Sequence, residues 1–206
     1  MQNVKVKICG ITNLEDARAA VEVGADMLGF NFYPESPRYL RVEQAIQILD
    51  EIPTFVDTVG VFVNPTAEQI KEITSYGFLN WIQLHGDEAP AFCDTLNWFH
   101  VRTIKAIRVQ AASDVERMEE YHTDAVLLDA YNGKLYGGTG EAFDWSLIGD
   151  INNRRIFVAG GITPENAADA VRLGVYGIDV CSGIESEPGK KDHEKLRRLL
   201  ENIRHL

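Results

Sequence analysis

Short apolar runs alternate with amphipathic stretches from one end of the chain to the other. The apolar runs are rich in Val, Ile, Leu and Phe, and several are bounded by Gly, Pro or Asn, as β-strands are. Eight runs are predicted as strands: 4–9, 27–32, 58–63, 81–85, 103–108, 125–130, 156–160 and 177–181. Consecutive runs begin roughly 20–30 residues apart, which is the size of one βα unit.

Helix start signals follow several of these strands. Asn13 is a predicted N-cap, apolar residues recur at helical spacing over 17–25, and Gly24 stands where a C-terminal glycine belongs. Thr66 and Gln69 form a predicted capping box. We therefore expect one helix after strand 1 and another after strand 3.

The remaining links differ in length. Thr163 and Pro164 open a predicted helix after strand 7, and 193–203 is a predicted closing helix with a leucine stripe. By contrast, the link 108–125 has room for at most one short helix, and the link 144–149 is also brief.

This alternation of strand and helix predicts an α/β fold, a closed (β/α)8 TIM barrel whose helix after strand 5 is short or missing. No linker or shift in composition divides the chain, so 1–206 is predicted to form a single compact domain. The main alternative is a doubly wound open sheet. Such a sheet rarely needs eight successive βα units, and the first turn lacks Gly-x-Gly-x-x-Gly.

Composition narrows the classes of partner. Of 206 residues, 45% are hydrophobic and 25% are charged, and no apolar run reaches the ~18 residues of a membrane helix. The 20 basic and 31 acidic residues give a net charge of −11, which would repel the phosphate backbone of a nucleic acid. We therefore expect no membrane and no nucleic acid as partner.

Cysteine usage favours a reducing compartment. Cys9, Cys93 and Cys181 include no Cys-x-x-Cys pair, and the N-terminus lacks the apolar core of a secretory signal. Free thiols and a cytoplasmic location are expected. The histidines and cysteines have no zinc-ligand spacing, so no metal site is expected.

Polar residues at the C-terminal ends of the strands are the candidates for chemistry, because barrel active sites lie there. In strand 1, Val6 and Ile8 share one face and are expected to pack outward against the helices. Lys7 and Cys9 then point inward at the mouth. The same alternation in strand 6 turns Asp129 inward.

Cys9 and Asp129 are predicted to form a proton-transfer pair. The ammonium of Lys7 would lower the pKa of the Cys9 thiol and favour a thiolate base. A half-buried carboxyl group keeps its proton more readily and can act as an acid. Taken alone, the residues leave other interpretations open: Cys9 could be a small buried hydrophobic residue, and Asp129 a solvated loop carboxylate or an N-cap.

Two glycine-containing turns follow the last two strands. Gly160 and Gly161 end strand 7, and Ser182 and Gly183 follow strand 8. Glycine lets the backbone approach an anion closely, and phosphate sites recur on these two loops of the fold. The turns are therefore predicted to bind phosphate, although each could also be an ordinary turn.

Four residues of the mouth are predicted to bind substrate: Lys7, Arg38, His85 and Asp179. Arg38 follows strand 2 in a proline-stiffened loop and could bind a carboxylate bidentately or be solvated. His85 could donate to a ligand or be structural, and Asp179 could orient the phosphate loops, orient a substrate hydroxyl or stabilise its own loop. The glycine-rich segment 133–140 could be a mobile lid or a flexible loop with no role.

Several short motifs run in a fixed order along nearly the whole chain. They are Lys-Ile-Cys-Gly-Ile-Thr at 7–12, Gly-Phe-Asn-Phe at 29–32 with Ser-Pro-Arg at 36–38, Val-Gly-Val-Phe-Val-Asn at 59–64, Gln-Leu-His-Gly-Asp-Glu at 83–88, Leu-Leu-Asp-Ala at 127–130, Gly-Gly-Thr-Gly at 137–140, Ala-Gly-Gly-Ile at 159–162 and Asp-Val-Cys-Ser-Gly-Ile-Glu at 179–185. In this combination the chain closely resembles the phosphoribosylanthranilate isomerase family of tryptophan biosynthesis.

The resemblance implies a cofactor-free Amadori rearrangement, in which N-(5-phosphoribosyl)anthranilate opens its furanose ring and becomes 1-(2-carboxyphenylamino)-1-deoxyribulose 5-phosphate. It implies that Cys9 is the general base at C2′ and that Asp129 is the general acid at the ring oxygen. It also implies that Arg38 holds the anthranilate carboxylate, and that the loops 160–161 and 182–183 hold the phosphate.

The substrate class fits the charge of the chain. A substrate with two anionic ends requires an acidic protein to concentrate cations and backbone amides at the mouth, as Lys7, Arg38 and the glycine turns could do. We expect this phosphosugar–anthranilate as the small-molecule partner, no cofactor, and a monomer or homodimer.

One residue departs from the family pattern, and two rivals stay open. Cys181 stands where serine is more usual and places a second thiol near the mouth. One rival is another phosphosugar barrel enzyme, although such enzymes usually have Glu, Lys or His in place of Cys9. The other is a catalytically inactive phosphosugar-binding barrel.

Overall fold

The strands of the molecule close into a parallel barrel. The computed structural model describes residues 4–53, 55–98, 100–130, 143–149 and 154–204. Neighbouring strands pair in sequence order, and β8 pairs back onto β1. The strands are β1 Lys5–Cys9, β2 Met27–Asn31, β3 Asp57–Phe62, β4 Trp81–Leu84, β5 Arg102–Val109, β6 Ala125–Ala130, β7 Ile156–Val158 and β8 Gly177–Val180. The predicted (β/α)8 barrel is confirmed, and every predicted strand end lies within two residues of the observed one.

Helices connect the strands around the outside of the barrel. Those described are α1 Leu14–Glu22, α2 Val42–Leu49, α3 Ala67–Thr74, α4 Pro90–Asp94, α5 Ala112–Glu116, α6 Ala167–Arg172 and α7 His193–Ile203. The link after β5 holds only α5, with five residues, and the 3-10 turn Arg117–Glu120, as predicted. The preceding α4 is equally short.

The predicted caps of α1 and α3 are confirmed. Asn13 Oδ1 accepts a hydrogen bond from the Asp16 backbone amide at 2.8 Å. Gly24, just past the end of α1, has a φ of +95°, a conformation that glycine adopts without a steric penalty. Thr66 and Gln69 exchange the two hydrogen bonds of a capping box.

The start of α6 differs from the prediction. The helix begins at Ala167 and not at Thr163 or Pro164. The Asn166 side chain accepts from the Thr163 amide at 2.8 Å and donates to the Gly161 carbonyl at 2.9 Å. These bonds close a turn before the helix and tie that turn to the glycine loop after β7.

Side-chain alternation along the strands separates two apolar clusters. Outward residues such as Val6 and Ile8 of β1 pack with the helices, as predicted. The inward cluster fills the lower part of the barrel and consists of Met27, Val59, Trp81, Ile104, Ala106, Ala125, Leu127, Phe157 and Ala159. Towards the C-terminal strand ends, buried inward positions become polar: Lys7, Gln83, His85, Asp129 and Asp179.

A small antiparallel hairpin follows β8 and was not predicted from the sequence. Its strands are β9 Glu185–Glu187 and β10 Lys190–Lys191, and Gly189 in its turn has a φ of +84°. The hairpin leads directly into α7, whose predicted leucine stripe is buried. Among the described residues, no helix has the length and apolar character needed to cross a membrane.

Candidate active site

A cavity of about 280 Å³ opens at the C-terminal ends of the strands. It is lined by every predicted site residue except one: Cys9, Arg38, His85, Asp129, Gly160, Gly161, Asp179, Ser182 and Gly183. The exception is Lys7, which is fully buried and is not part of the lining. The predicted lid 133–140 lies outside the described residues.

Lys7 supports the lining from below. It is paired in register with Asp179 on β8, and its Nζ donates to Asp179 Oδ1 at 2.9 Å. Burial disfavours the ammonium, but Asp179 and the Cys9 thiolate outweigh this cost, so the pKa of Lys7 lies above its usual value. Burial also raises the pKa of Asp179 to about 7, against the opposing effect of Lys7.

The neighbours of Cys9 lower the pKa of its thiol. Ile8 and Val180 are register partners, so Cys9 and Cys181 are the next residues on two paired strands. A hydrogen bond from Cys181 is the largest cause that lowers the pKa of Cys9 well below its ordinary value. Lys7 and Lys191 lower it further, against the effect of burial.

Cys181 is affected in the opposite direction. The Cys9 sulfur and burial both raise the pKa of Cys181 well above its ordinary value. Cys181 Sγ also lies 3.8 Å from Glu185 Oε1, to which the thiol can donate. The lowered pKa predicted for Cys9 has the expected cation, Lys7, and a further donor that the sequence analysis did not assign.

On the opposite side of the cavity, Asp129 is held by a histidine. Asp129 Oδ2 lies 3.1 Å from His85 Nε2, and its Oδ1 accepts from the Ala130 amide at 2.9 Å. Gln83 Nε2 lies 2.8 Å from His85 Nδ1, and Gln83 Oε1 has no hydrogen-bond partner among the described residues. Gly160 makes room for the carboxyl group, because a Cβ there would lie 2.9 Å from Asp129 Oδ1.

The two glycine loops form a compact backbone surface beside this pair. Gly160 and Gly161 have φ values of +81° and +61°, which end β7 two residues earlier than predicted. Gly183 lies in the 3-10 turn Ser182–Ile184 and packs against the other loop, since a Cβ there would lie 1.9 Å from the Ile162 carbonyl oxygen. Glycine at these positions lets both loops approach a ligand with their backbones.

Arg38 is bound by a carboxylate of the protein that was not predicted as a site residue. Its Nε and Nη2 donate to Glu185 at 2.8 and 2.6 Å. Glu185 also accepts from the buried Lys191 at 2.9 Å, and Lys191 Nζ donates to the Cys9 carbonyl at 2.6 Å. Only the Ser-Gly-Ile-Glu motif at 182–185 signalled Glu185 in the sequence, and nothing signalled Lys191.

The cavity combines a thiol with a lowered pKa, a carboxyl group and two exposed glycine loops, a set of groups that can move protons on a bound substrate. Among the described residues, no group of three or more His, Cys, Asp or Glu side chains could hold a metal ion.

Comparison with known proteins agrees with this chemistry. Residues 6–202 match the family model described as N-(5′-phosphoribosyl)anthranilate (PRA) isomerase. The isomerase of that name from Trichlorobacter lovleyi is 45% identical over 204 residues, which cover 98% of each chain. The one from Pseudomonas fluorescens is 47% identical and covers 99% of this chain and 100% of its own.

Solved structures give the same result. Phosphoribosyl anthranilate isomerase from Thermotoga maritima superposes with a TM-score of 0.89 at 42% identity, covering 98% of this chain and all of its own. A phosphoribosyl anthranilate isomerase in complex with reduced 1-(o-carboxyphenylamino)-1-deoxyribulose 5-phosphate has a TM-score of 0.86, at the same identity and coverage. The family model matches nearly the whole chain, and relatives from the family are identical to it at almost half of the aligned positions. The chain therefore belongs to the N-(5′-phosphoribosyl)anthranilate isomerase family.

Proposed function

We propose that the chain isomerises N-(5′-phosphoribosyl)anthranilate by acid–base catalysis, with Cys9 as the base and Asp129 as the acid. Family membership supports the substrate. The observation that carries the mechanism is that a thiolate and a carboxyl group line the same cavity from different strands. Each group contributes about 10²–10⁴-fold to the rate in typical acid–base catalysis.

The steps follow from these two groups. Asp129 donates its proton to the furanose ring oxygen, the C1′–O bond breaks, and the anthranilate nitrogen lone pair forms a C1′=N bond. The Cys9 thiolate then removes the proton from C2′, and those electrons give an enolamine that becomes the ketone by proton transfer. No oxidant or reductant is consumed, because the hydrogen lost at C2′ is balanced by the one gained at C1′.

His85 and Gln83 serve both protonation states of Asp129. When Gln83 Nε2 donates to Nδ1, the ring proton lies on Nε2 and hydrogen-bonds the carboxylate. When the Gln83 amide is reversed, the unpartnered Oε1 accepts from Nδ1, and Nε2 can accept the proton of a carboxylic acid. This relay supports the acid before proton donation and the carboxylate after it.

The remaining roles follow from position. The loops 160–161 and 182–183 bind the sugar phosphate with their backbone amides, and Arg38 binds the anthranilate carboxylate. Asp179 orients the loop after β8 or a substrate hydroxyl. Lys7 acts from beneath the cavity by stabilising the Cys9 thiolate and does not contact the substrate.

The decisive test is an activity assay with purified protein and freshly prepared substrate. We expect the fluorescence of the anthranilate adduct to disappear in proportion to enzyme concentration. A catalytically inactive binding barrel would bind the phosphosugar and leave the fluorescence constant. Another phosphosugar isomerase would be inactive here and active on an aldose phosphate.

Cellular location and assembly complete the proposal. Cys9, Cys93 and Cys181 are free thiols, which supports a reducing cytoplasm. A solved structure of the family contains monomers generated from a dimeric isomerase of Thermotoga maritima, so both a monomer and a homodimer are compatible with this fold. Light scattering of the purified chain distinguishes the two.

A further inference from the structure

A buried carboxylate outside the cavity lining occupies one edge of Arg38. Glu185 begins β9, and its side chain is 4% exposed. It takes the Nε–Nη2 edge of the guanidinium, and Nη1 donates to no described residue. A guanidinium offers two such edges to carboxylates, so the Nη1–Nη2 edge stays available on a side chain that lines the cavity.

We propose that Glu185 is a positioning residue, which fixes Arg38 so that its Nη1–Nη2 edge faces the carboxylate of the substrate. The inference rests on the proposed function, in which Arg38 binds that carboxylate. Glu185 itself does not contact the substrate, because it is absent from the cavity lining.

The path of the Arg38 side chain makes such an anchor necessary. The stem crosses the end of β1 over Gly10, where a Cβ would lie 2.6 Å from Arg38 Cδ. Gly10 has a φ of +75°, so the backbone there favours glycine for a second reason. The absence of a side chain at Gly10 makes room for the stem, and the bidentate bond to Glu185 fixes the position of the guanidinium at its end.

Lys191 extends the anchor to the catalytic base. Its Nζ bridges Glu185 Oε1 and the Cys9 carbonyl, at 2.9 and 2.6 Å. The Gly189 amide donates to the same Glu185 oxygen at 3.3 Å. Two cations surround one carboxylate, and the bond from Lys191 ties the geometry of the group to the backbone of Cys9.

The test compares two ligands in one set of variants. One is reduced 1-(o-carboxyphenylamino)-1-deoxyribulose 5-phosphate, and the other is the same molecule without the ring carboxylate. Calorimetry gives the affinity ratio, defined as the affinity for the ligand with the ring carboxylate divided by the affinity for the ligand without it. We expect Glu185→Gln to lower this ratio about tenfold, the size of one lost charged hydrogen bond, while the affinity for the carboxylate-free ligand changes less than about twofold.

A matched control is Glu88→Gln. Glu88 is another buried carboxylate, paired with Lys105 at 2.7 Å and absent from the cavity lining. Its variant should leave the ratio unchanged, and an equal fall would mean that any lost buried charge has this effect, which overturns the proposal. If Glu185→Gln does not fold, Glu185→Asp keeps the charge but is too short to hold both Arg38 nitrogens, and the same fall in ratio is expected.

The other outcomes are also decisive. An equal loss of affinity for both ligands would assign Glu185 a purely structural role, and a higher ratio would make it only a neutraliser of Arg38; either result overturns the proposal. Arg38→Ala distinguishes a failure of the Glu185 role from a failure of the carboxylate site at Arg38. If it leaves the ratio as in the unmodified protein, the carboxylate site of the proposed function fails, and the role of Glu185 fails with it.

Discussion

The β1–β8 side and the β4–β6 side of the cavity differ in the charged groups that surround their ionisable side chains. On the first, Cys9 has Lys7 and Lys191 nearby and receives a hydrogen bond from a neighbouring thiol. On the second, Asp129 has no ion pair with Lys or Arg among the described residues, and its side-chain partner is His85. The first side therefore favours an anion, while the second places no Lys or Arg of the described residues against the Asp129 carboxyl group.

This difference would allow one cavity to hold the proposed base and the proposed acid together. In the barrel order β6-β7-β8-β1, the two glycine loops lie between Asp129 and Cys9. A phosphate bound there, as proposed, would place the sugar between the two groups. The difference in charge between the two sides thus depends on the order of the strands and on the positions of the lysines near Cys9.

The largest effect is expected where the anion is removed. Cys9→Ser should lower kcat about 10³-fold, because the same cations cannot ionise a hydroxyl group, whose pKa is far higher than that of a thiol. Steady-state kinetics with the fluorescent substrate measure this change. The matched control is Cys93→Ser, a buried thiol that does not line the cavity, which should keep its kcat. Turnover of the Cys9 variant within a few-fold of the unmodified protein would remove the thiolate from the mechanism.

A somewhat smaller loss is expected on the other side. Asp129→Asn should lower kcat about 10²-fold and leave KM nearly unchanged, because an amide can still hydrogen-bond the ring oxygen but cannot protonate it. Asp124→Asn is the control, since Asp124 accepts hydrogen bonds from Thr103 at the opposite end of the barrel strands. A rise in KM alone would assign Asp129 to binding instead of proton transfer.

Cys181 tests the anionic side without removing the base. Because its hydrogen bond lowers the pKa of Cys9, Cys181→Ala should raise that pKa and move the acidic limb of the kcat/KM profile to higher pH. Activity then falls on that limb and recovers in alkaline buffer. Cys181→Ser retains a hydroxyl donor, so its profile should stay near that of the unmodified protein. Identical profiles for the Ala and Ser variants would contradict the hydrogen bond.

The barrel was predictable from the sequence because its signals are local. Alternating side chains turned Cys9 and Asp129 inward, and strand spacing set the number of βα units. The start of α6 was not predictable in the same way, because the Asn166 side chain closes the preceding turn through bonds to Thr163 and Gly161. Propensity rules place proline in a first turn but do not anticipate such a competing bond.

The unpredicted part of the site depends on contacts distant in sequence. Glu185 binds Arg38 across 147 residues, and Lys191 binds the Cys9 carbonyl across 182. Their hairpin consists of two short polar strands, which lack the apolar alternation that signals a strand. Sequence reasoning therefore identified the groups proposed for proton transfer but not the residues that hold Arg38.

The smallest expected effect concerns the loops between the two sides. Inorganic phosphate should compete with substrate, with an inhibition constant of roughly 10 mM, because it provides only one of the substrate's two anionic ends. Inhibition measured against a chloride control of equal ionic strength should raise KM without changing kcat. Gly183→Ala should weaken this competition, since its Cβ would displace the loop from the Ile162 carbonyl. Gly77→Ala is the control, because it introduces backbone strain at a φ of +76° outside the cavity lining, and it should leave the competition unchanged. Inhibition that lowers kcat would place the phosphate elsewhere, and the substrate would then lack the anchor that holds it between acid and base.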